Sequence, residues 1–249
     1  MFQEFPAVPT LEAAPPSEAR WRPIDLAAGV LLLVVGFLVI GGIAYLVDRA
    51  HPGGDRDPGL ALALTVITLG FEVWAGVAVL ILARWRGISM RALGFHAPRS
   101  WGLTGTAVAG AYATMVVYAV VVVVIGKTTG LRIPDPTNAI PETLARTLPV
   151  WTVLGIAVVV AAPFGEELFF RALVYRAVNG FWGPALGIIA SGVAFALMHF
   201  NLSVVVPFAG IGMIFAWAYR SSGSIWTTIA AHAIFNGVSF ALAASGVAR

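Results

Sequence analysis

Three ionisable residues lie close together at the end of a long apolar run: Glu166, Glu167 and Arg171, in the segment AAPFGEELFFRALVYRAV, residues 161–178. A charged side chain near the middle of a bilayer costs about 2.5–3.5 kcal/mol on insertion scales, so such a group needs partners or a water-filled cavity. Glu167 and Arg171 share one helical face and can neutralise each other. Glu166 points about 100° away and has no counter-ion nearby in the sequence, which suits a general base. The alternative is a charge cluster that only anchors a helix end at the interface.

Two histidines and an asparagine lie in later apolar segments. Phe195 and His199 are four residues apart in ASGVAFALMHF, and His232 and Asn236 are four apart in IAAHAIFNGVSF. Each pair therefore shares one face of a helix. A single buried histidine is more often structural than catalytic. Three separate spans that each carry polar residues of catalytic type favour a common site.

The motifs EExxxR, FxxxH and HxxxN, in that order, resemble those of the CPBP family of intramembrane proteases. That family includes the CAAX prenyl endopeptidases and the bacteriocin-processing or immunity proteins, also called the Abi family. The resemblance covers roughly the C-terminal 100 residues, and the ordered triple is far more specific than any one motif. It implies that Glu166 and His199 activate a water molecule, while His232 and Asn236 stabilise the oxyanion.

The same resemblance implies a supporting role for the remaining motif residues, which are Glu167, Arg171 and Phe195. The ion pair between Glu167 and Arg171 would hold the helix that carries the first motif. Proteins of this family are often named metalloproteases, although HExxH is absent here. A zinc set of Glu166, His199 and His232 is chemically feasible, because zinc accepts these ligands and keeps a fourth position for water. Metal-free activation of water by glutamate and histidine is equally compatible, so the cofactor is either zinc or none.

Composition predicts an integral membrane protein. The chain has 249 residues, of which 59% are hydrophobic and 11% charged, and its mean hydropathy is +0.89, far above that of a soluble domain. The net charge of +3 comes from arginines in short connections rather than from a basic run, so nucleic acid is not an expected partner. The absence of cysteine excludes disulfides, thiolate metal ligands and a cysteine nucleophile.

The predicted fold is all-α, a polytopic transmembrane helical bundle of about seven spans. Apolar runs long enough to span begin near residues 26, 59, 104, 150, 182, 203 and 225. We expect a disordered tail at residues 1–24, N-terminal spans with a basic interfacial loop at 25–145, and a CPBP-type catalytic core at 146–249. The connection at 126–149 is long enough for a short surface helix.

The connection at residues 84–103 indicates the orientation of the chain. It has no acidic residue and contains four arginines and two tryptophans: Arg84, Arg86, Arg91, Arg99, Trp85 and Trp101. Such a loop is typical of the cytoplasmic interface, where it contacts anionic lipid headgroups, and it predicts a cytoplasmic N-terminus. The Ala-, Val- and Arg-rich composition favours a bacterial protein of the inner membrane.

The depth of the two water-activating residues is a difficulty for straight helices. If the fourth span ends near Arg176 and the fifth begins at Trp182, Glu166 lies about 15 Å and His199 about 25 Å from the interface, at 1.5 Å per residue. A tilted fifth span, or a connection that dips below the interface, would bring them level.

A further carboxylate, Glu72, lies beside Trp74 in the second span. It either contributes to the polar interior or forms an ion pair for packing alone.

The main alternative to a protease is a transporter or channel in which Glu72, Glu166 and the histidines relay protons, although no inverted repeat favours it. A catalytically silent immunity or scaffold protein is a second alternative, and the intact motifs argue against it. A protease would act on a membrane-associated protein or peptide, and the sequence does not specify whether that substrate carries a prenylated CAAX end.

Overall fold

The computed structural model of the protein describes residues 20–51, 57–131 and 147–245. The described ranges are helical and contain no strand, which confirms the all-α prediction. The helices before the motif region are α1 (Pro23–Ala50), α2 (Pro58–Arg86) and α3 (Gly102–Thr129). A continuous helical segment, here called the motif helix, then comprises α4 (Leu148–Ile156), a π-helix (Ala157–Ala161), α5 (Ala162–Glu167), a second π-helix (Leu168–Tyr175) and α6 (Arg176–Trp182). The last three helices are α7 (Pro184–Leu197), α8 (Val205–Ser222) and α9 (Ile225–Ser245).

The seven predicted apolar runs correspond to seven helical segments, but these differ in their capacity to span. Five are long and apolar enough to cross a membrane: α1, α2, α3, the motif helix and α9. The 14-residue helix α7 is shorter, since it rises only about 21 Å against a hydrocarbon core of about 30 Å. Helix α8 has 18 residues and carries Arg220 in its last turn. The described protein is therefore a bundle of five long apolar helices with a shorter pair, α7 and α8, packed together within it.

The motif helix is irregular because it contains Pro163. A proline in a helix interior has no N–H and leaves a carbonyl in the preceding turn without its usual partner. The π-helix Ala157–Ala161 lies immediately before this proline, and π-helical turns are one way in which a helix accommodates such a break. The second π-helix, Leu168–Tyr175, begins directly after Glu167. Both irregular stretches therefore flank the two glutamates.

The motif helix and α7 form an antiparallel hairpin whose turn lies at Gly183. Gly183 has a φ of 86°, a left-handed conformation that favours glycine. The motif helix continues to Trp182, beyond the expected end near Arg176. Glu166 lies 16 residues before Trp182 and His199 lies 16 residues after Gly183, so both are about 24 Å along the helices from the turn. The turn position brings the two residues level and removes the difficulty that straight helices posed.

Small residues on α7 allow this hairpin to pack closely. A Cβ added to Gly187 would lie 3.1 Å from Tyr175 Cδ2 and 3.1 Å from Asn179 Cβ. One turn later, Ser191 is fully buried and its hydroxyl donates to the carbonyl of Phe170 at 2.9 Å. At these two positions α7 therefore approaches the motif helix closely.

The start of α1 is anchored to the bundle at the end of the predicted tail. Most of residues 1–24 lie outside the described ranges, but Trp21 is buried, with 6% exposure, and its indole N–H donates to the carbonyl of Ala172 at 2.7 Å. Helix α1 begins at Pro23, and the buried carboxylate of Asp25 accepts a hydrogen bond from Arg86 Nε at 3.0 Å. This ion pair places the N-terminal end of α1 beside the C-terminal end of α2.

The basic connection after α2, at residues 84–103, has one part that packs on the bundle and another that faces outward. Leu93 is fully buried, and its carbonyl accepts a hydrogen bond from the Tyr219 hydroxyl at 3.0 Å. The next carbonyl, of Gly94, accepts from the backbone N–H of Ile225 at 3.0 Å. Trp85 and Trp101 are 85% and 60% exposed, as a lipid-facing role requires. The loop therefore contacts the ends of α8 and α9, which the sequence did not predict.

Two predictions concern residues 132–146, which lie outside the described ranges. The predicted boundary at 145/146 lies wholly within them, and most of the connection at 126–149, where a short helix was expected, does so too.

The contact between α2 and the motif helix depends on Gly165. A Cβ at this position would overlap the backbone carbonyl oxygen of Glu72 and lie 3.4 Å from the backbone nitrogen of Gly76. We expect Gly165→Ala to lower the free energy of unfolding by about 1–3 kcal/mol, because the backbone of α2 must move away. Reversible unfolding of the detergent-solubilised protein by SDS, followed by circular dichroism, measures this change. Gly70→Ala is the matched control, since an added Cβ there meets nothing within 4 Å. Equal effects of the two substitutions would contradict the close contact.

Candidate active site

A buried charge cluster joins the first and third motifs. Glu167 Oε1 lies 2.9 Å from Arg171 Nη1 and 2.9 Å from His232 Nδ1. The side chains of Glu167 and Arg171 are fully buried, and that of His232 is 4% exposed. The predicted pair between Glu167 and Arg171 is therefore formed, and it also includes a histidine 65 residues further along the chain. Pairing offsets the large cost of removing these charges from water.

Arg171 is enclosed by backbone and aromatic rings. Its Nη2 donates to the carbonyl of Gly212 on α8 at 3.1 Å. The guanidinium carbon lies 5.0 Å from the ring centre of Phe195, 5.5 Å from that of Phe215 and 5.9 Å from that of Phe170. A guanidinium within about 6 Å of an aromatic ring gains cation–π stabilisation, which is largest away from water. Arg171 thus connects the motif helix to α7 and α8.

The hydrogen bond to Glu167 fixes the orientation of His232. A carboxylate can only accept, so Nδ1 of His232 carries the hydrogen that it donates to Glu167. The ring is held from two sides, by Phe195 at 5.6 Å and by Phe215 at 5.5 Å between ring centres. The other nitrogen, Nε2, is then directed away from the cluster's carboxylate. Nε2 is therefore the ring nitrogen that is left for a ligand.

Phe195 separates the two histidines and contacts both. Its ring centre lies 5.0 Å from that of His199 and 5.6 Å from that of His232. His199 Nδ1 lies 2.9 Å from the carbonyl of Phe195, and a carbonyl only accepts, so Nδ1 carries the hydrogen. In the neutral ring, Nε2 of His199 then has a free lone pair and can accept a proton. His199 itself lies in the turn after α7, and Phe208 packs against its ring at 4.6 Å.

Asn236 compensates for the break that Pro163 makes in the motif helix. Its Nδ2 donates to the carbonyl of Val158 at 2.9 Å, within the first π-helix. Since only the nitrogen of the amide can donate to a carbonyl, this bond fixes which way the amide points. Nδ2 has a second hydrogen, which remains for a substrate. The predicted oxyanion donor thus has a structural bond as well, and the sequence alone did not indicate it.

Glu166 lies beside the charge cluster but is not part of it. Among the described residues no hydrogen bond joins it to His199 or His232, and its buried Oε2 has no hydrogen-bond partner. Arg171 is close enough to interact with it electrostatically, and so is Glu72 on α2. The two adjacent glutamates therefore have different environments, as their angular separation predicts. Glu167 is held by Arg171 and His232 through Oε1, and Glu166 is available to a ligand.

The zinc set of Glu166, His199 and His232 is not assembled in this arrangement. No group of three or more His, Asp or Glu side chains that could hold a metal ion occurs within residues 20–51, 57–131 and 147–245. Nδ1 of each histidine is engaged, one by Glu167 and one by a backbone carbonyl, which leaves Nε2 of each ring for a ligand. Glu166, His199 and His232 do not converge as three ligands of one metal ion.

Comparison with known proteins gives one match, which covers the C-terminal part of the chain. Residues 148–238 match the family model described as Type II CAAX prenyl endopeptidase Rce1-like. This segment is Rce1-like. The match begins at the first residue of the motif helix and ends two residues after Asn236, so it includes all three motifs. No curated protein and no solved structure matches the chain.

The match confirms the suspected relationship to CPBP and CAAX proteases. Together with the five long apolar helices, it supports an integral membrane protein whose C-terminal segment is similar to CAAX prenyl endopeptidases. Helices α1, α2 and α3 lie outside the Rce1-like segment. The roles of individual residues within it stay predictions.

Proposed function

We propose that the protein is an intramembrane endopeptidase in which Glu166 is the general base. The observation that carries the proposal is the contrast between the two adjacent glutamates. Oε1 of Glu167 lies 2.9 Å from both Arg171 and His232, whereas the carboxylate of Glu166 forms no hydrogen bond or ion pair among the described residues. Peptide hydrolysis in a membrane requires a base that is free to take a proton from water. Glu166 is the carboxylate in the Rce1-like segment that meets this requirement.

In the first step, Glu166 removes a proton from water as the water oxygen attacks the carbonyl carbon of the scissile peptide bond. His199 stands at the same level of the hairpin, and its Nε2 has the lone pair needed to accept a hydrogen bond from the same water. The carbonyl oxygen becomes an oxyanion. The C–N bond then breaks, and the departing nitrogen receives the proton that Glu166 had taken. This proton transfer regenerates the carboxylate of Glu166.

Two donors on α9 suit the oxyanion. His232 Nε2 and the second hydrogen of Asn236 Nδ2 belong to residues one helical turn apart, on the same face. Both side chains are fixed on their other side, one by Glu167 and one by Val158. Donors that are held in place before the reaction stabilise developing charge most effectively, because they need not reorganise. The cluster of Glu167 and Arg171 thus acts by positioning His232.

The substrate we propose is a membrane-associated protein or peptide. The name of the matched family supports a peptide with a prenylated CAAX end. The Ala-, Val- and Arg-rich composition, which favours a bacterial protein, supports a different lipid-embedded peptide instead. We further propose that the N-terminus and the basic loop after α2 face the cytoplasm of a bacterial inner membrane, with the loop's exposed tryptophans and arginines at the lipid headgroups.

Cleavage assays with detergent-purified protein test this function. A fluorogenic farnesylated CAAX peptide, the same peptide without the lipid, and a library of quenched apolar peptides are compared for the wild type and His199→Ala. We expect His199→Ala to lower kcat by about 10²–10⁴-fold. His51→Ala is the matched control, because His51 lies at the C-terminal end of α1, outside the motifs. Chelator is added in parallel, and unchanged cleavage is expected from the donor geometry. Proton flux into liposomes without cleavage of any peptide would instead support a transporter.

A further inference from the structure

Glu72 is a carboxylate at the centre of α2, a helix outside the Rce1-like segment. It is 14 residues from the first residue of α2, Pro58, and 14 from the last, Arg86. At this depth an ionisable side chain is costly and marks a functional position by default. The charged residues of the neighbouring helix α1 lie near its ends, at Asp25, Asp48 and Arg49. Helix α1 therefore offers Glu72 no charged partner at the same depth.

The backbone of Glu72 contacts the residue that precedes Glu166. The carbonyl oxygen of Glu72 occupies the space that a Cβ on Gly165 would require. One turn further along α2, a Cβ on Gly76 would lie 3.3 Å from Gly165 Cα. The two helices therefore approach at backbone distance just where the general base is attached. This contact fixes the height of Glu72 relative to Glu166.

The side chains of Glu72 and Glu166 are close enough to interact electrostatically. They are not joined by a direct hydrogen bond, and Oε2 of Glu166 has no partner among the described residues. Glu72 is partly buried, like Glu166. Two carboxyl groups that interact without a direct hydrogen bond, one of them with an unused buried oxygen, can be bridged by a water molecule that is hydrogen-bonded to both.

We propose that Glu72 is a positioning residue for the reaction: its carboxyl group holds the water that Glu166 activates, from the opposite helix. The inference rests on the proposed function, because it assumes that Glu166 is the base. The hydrolysis needs one base, so Glu72 acts by hydrogen bonding and not by taking the proton. A side chain with the same reach and polar end should replace it, whereas an apolar side chain of the same length should not.

The experiment compares Glu72→Gln with Glu72→Met in the full-length protein, using the peptide that the wild type cleaves best. We expect Glu72→Met to lower kcat by about 10- to 100-fold and to leave KM within a factor of about two. A displacement of the attacking water by about 1 Å can slow the reaction by a factor of this size. Glu72→Gln should keep kcat within about threefold of the wild type, because an amide still binds water. Thr68→Val is the matched control, one turn earlier on the exposed face of α2, and should leave kcat unchanged.

Several outcomes would overturn the inference. These are a wild-type kcat in Glu72→Met, a loss in Glu72→Gln equal to that in Glu72→Met, or a loss expressed in KM rather than kcat. The thermal unfolding midpoint of each variant is measured alongside; if Glu72→Met does not fold, Glu72→Ala is assayed in its place against the same expectation. Glu166→Gln is included to separate the two hypotheses. If Glu166→Gln is inactive and Glu72→Met is normal, only the role of Glu72 is wrong, whereas an active Glu166→Gln refutes the proposed function itself.

Discussion

Glu166→Gln is expected to reduce kcat for peptide cleavage by about 10²–10⁴-fold and to leave the fold intact. Glutamine has the shape of glutamate but cannot accept a proton from water, so the loss should appear in kcat at nearly constant KM. The fold should persist because Glu166 makes no hydrogen bond to either histidine, and its Oε2 has no partner among the described residues. Steady-state kinetics on the best peptide substrate and thermal unfolding of the same preparation measure the two quantities.

Asp48→Asn serves as the control for this change from carboxylate to amide. Asp48 is exposed at the end of α1, far from the motifs, and its substitution should alter neither kcat nor stability. A Glu166→Gln protein with wild-type kcat would show that another group activates the water. A protein that loses activity only because it unfolds would place Glu166 in the structural cluster and remove its distinction from Glu167.

The sequence predicted the fold class and the pairings that depend on local spacing. Long apolar runs specify helices that can cross a membrane, and the i, i+4 spacing of Glu167 and Arg171 specifies an ion pair on one helical face. The match at residues 148–238 supports the family that the three motifs suggested. These features could be predicted because each depends on a repeat or a spacing within one helix, or on an ordered set of motifs.

Contacts between distant segments could not be predicted in this way. The bond between Glu167 and His232 joins residues that are 65 positions apart, and no local pattern indicates which of the two glutamates it should use. The level of His199 depends on the turn at Gly183, which lies seven residues beyond the expected end of the span. Trp21, assigned to the tail from its proline-rich surroundings, donates to Ala172, because a single buried aromatic residue gives no periodic signal.

Arg171→Met is expected to lower the free energy of unfolding by about 3–5 kcal/mol, the usual cost of leaving one charge of a buried pair without its partner. Arg171 is fully buried, lies 2.9 Å from Glu167 and donates to Gly212 on α8. Its removal leaves the buried Glu167 carboxylate hydrogen-bonded to His232 but without the arginine that neutralises it. SDS-induced unfolding in mixed micelles, followed by circular dichroism, gives the free energy. Arg84→Met, at an exposed position near the end of α2, controls for the loss of an arginine and should change it by less than about 0.5 kcal/mol.

The double variant Glu167→Met/Arg171→Met separates stability from positioning. Replacing both members of a buried pair with apolar side chains is often neutral or stabilising, so the double variant should unfold with a free energy closer to that of the wild type than Arg171→Met does. Its kcat should nevertheless stay low, because His232 loses the carboxylate that holds its ring in place. Recovery of stability together with wild-type kcat would show that the cluster only holds the helices together. Recovery of stability without kcat would show that Glu167 orients His232 for the reaction.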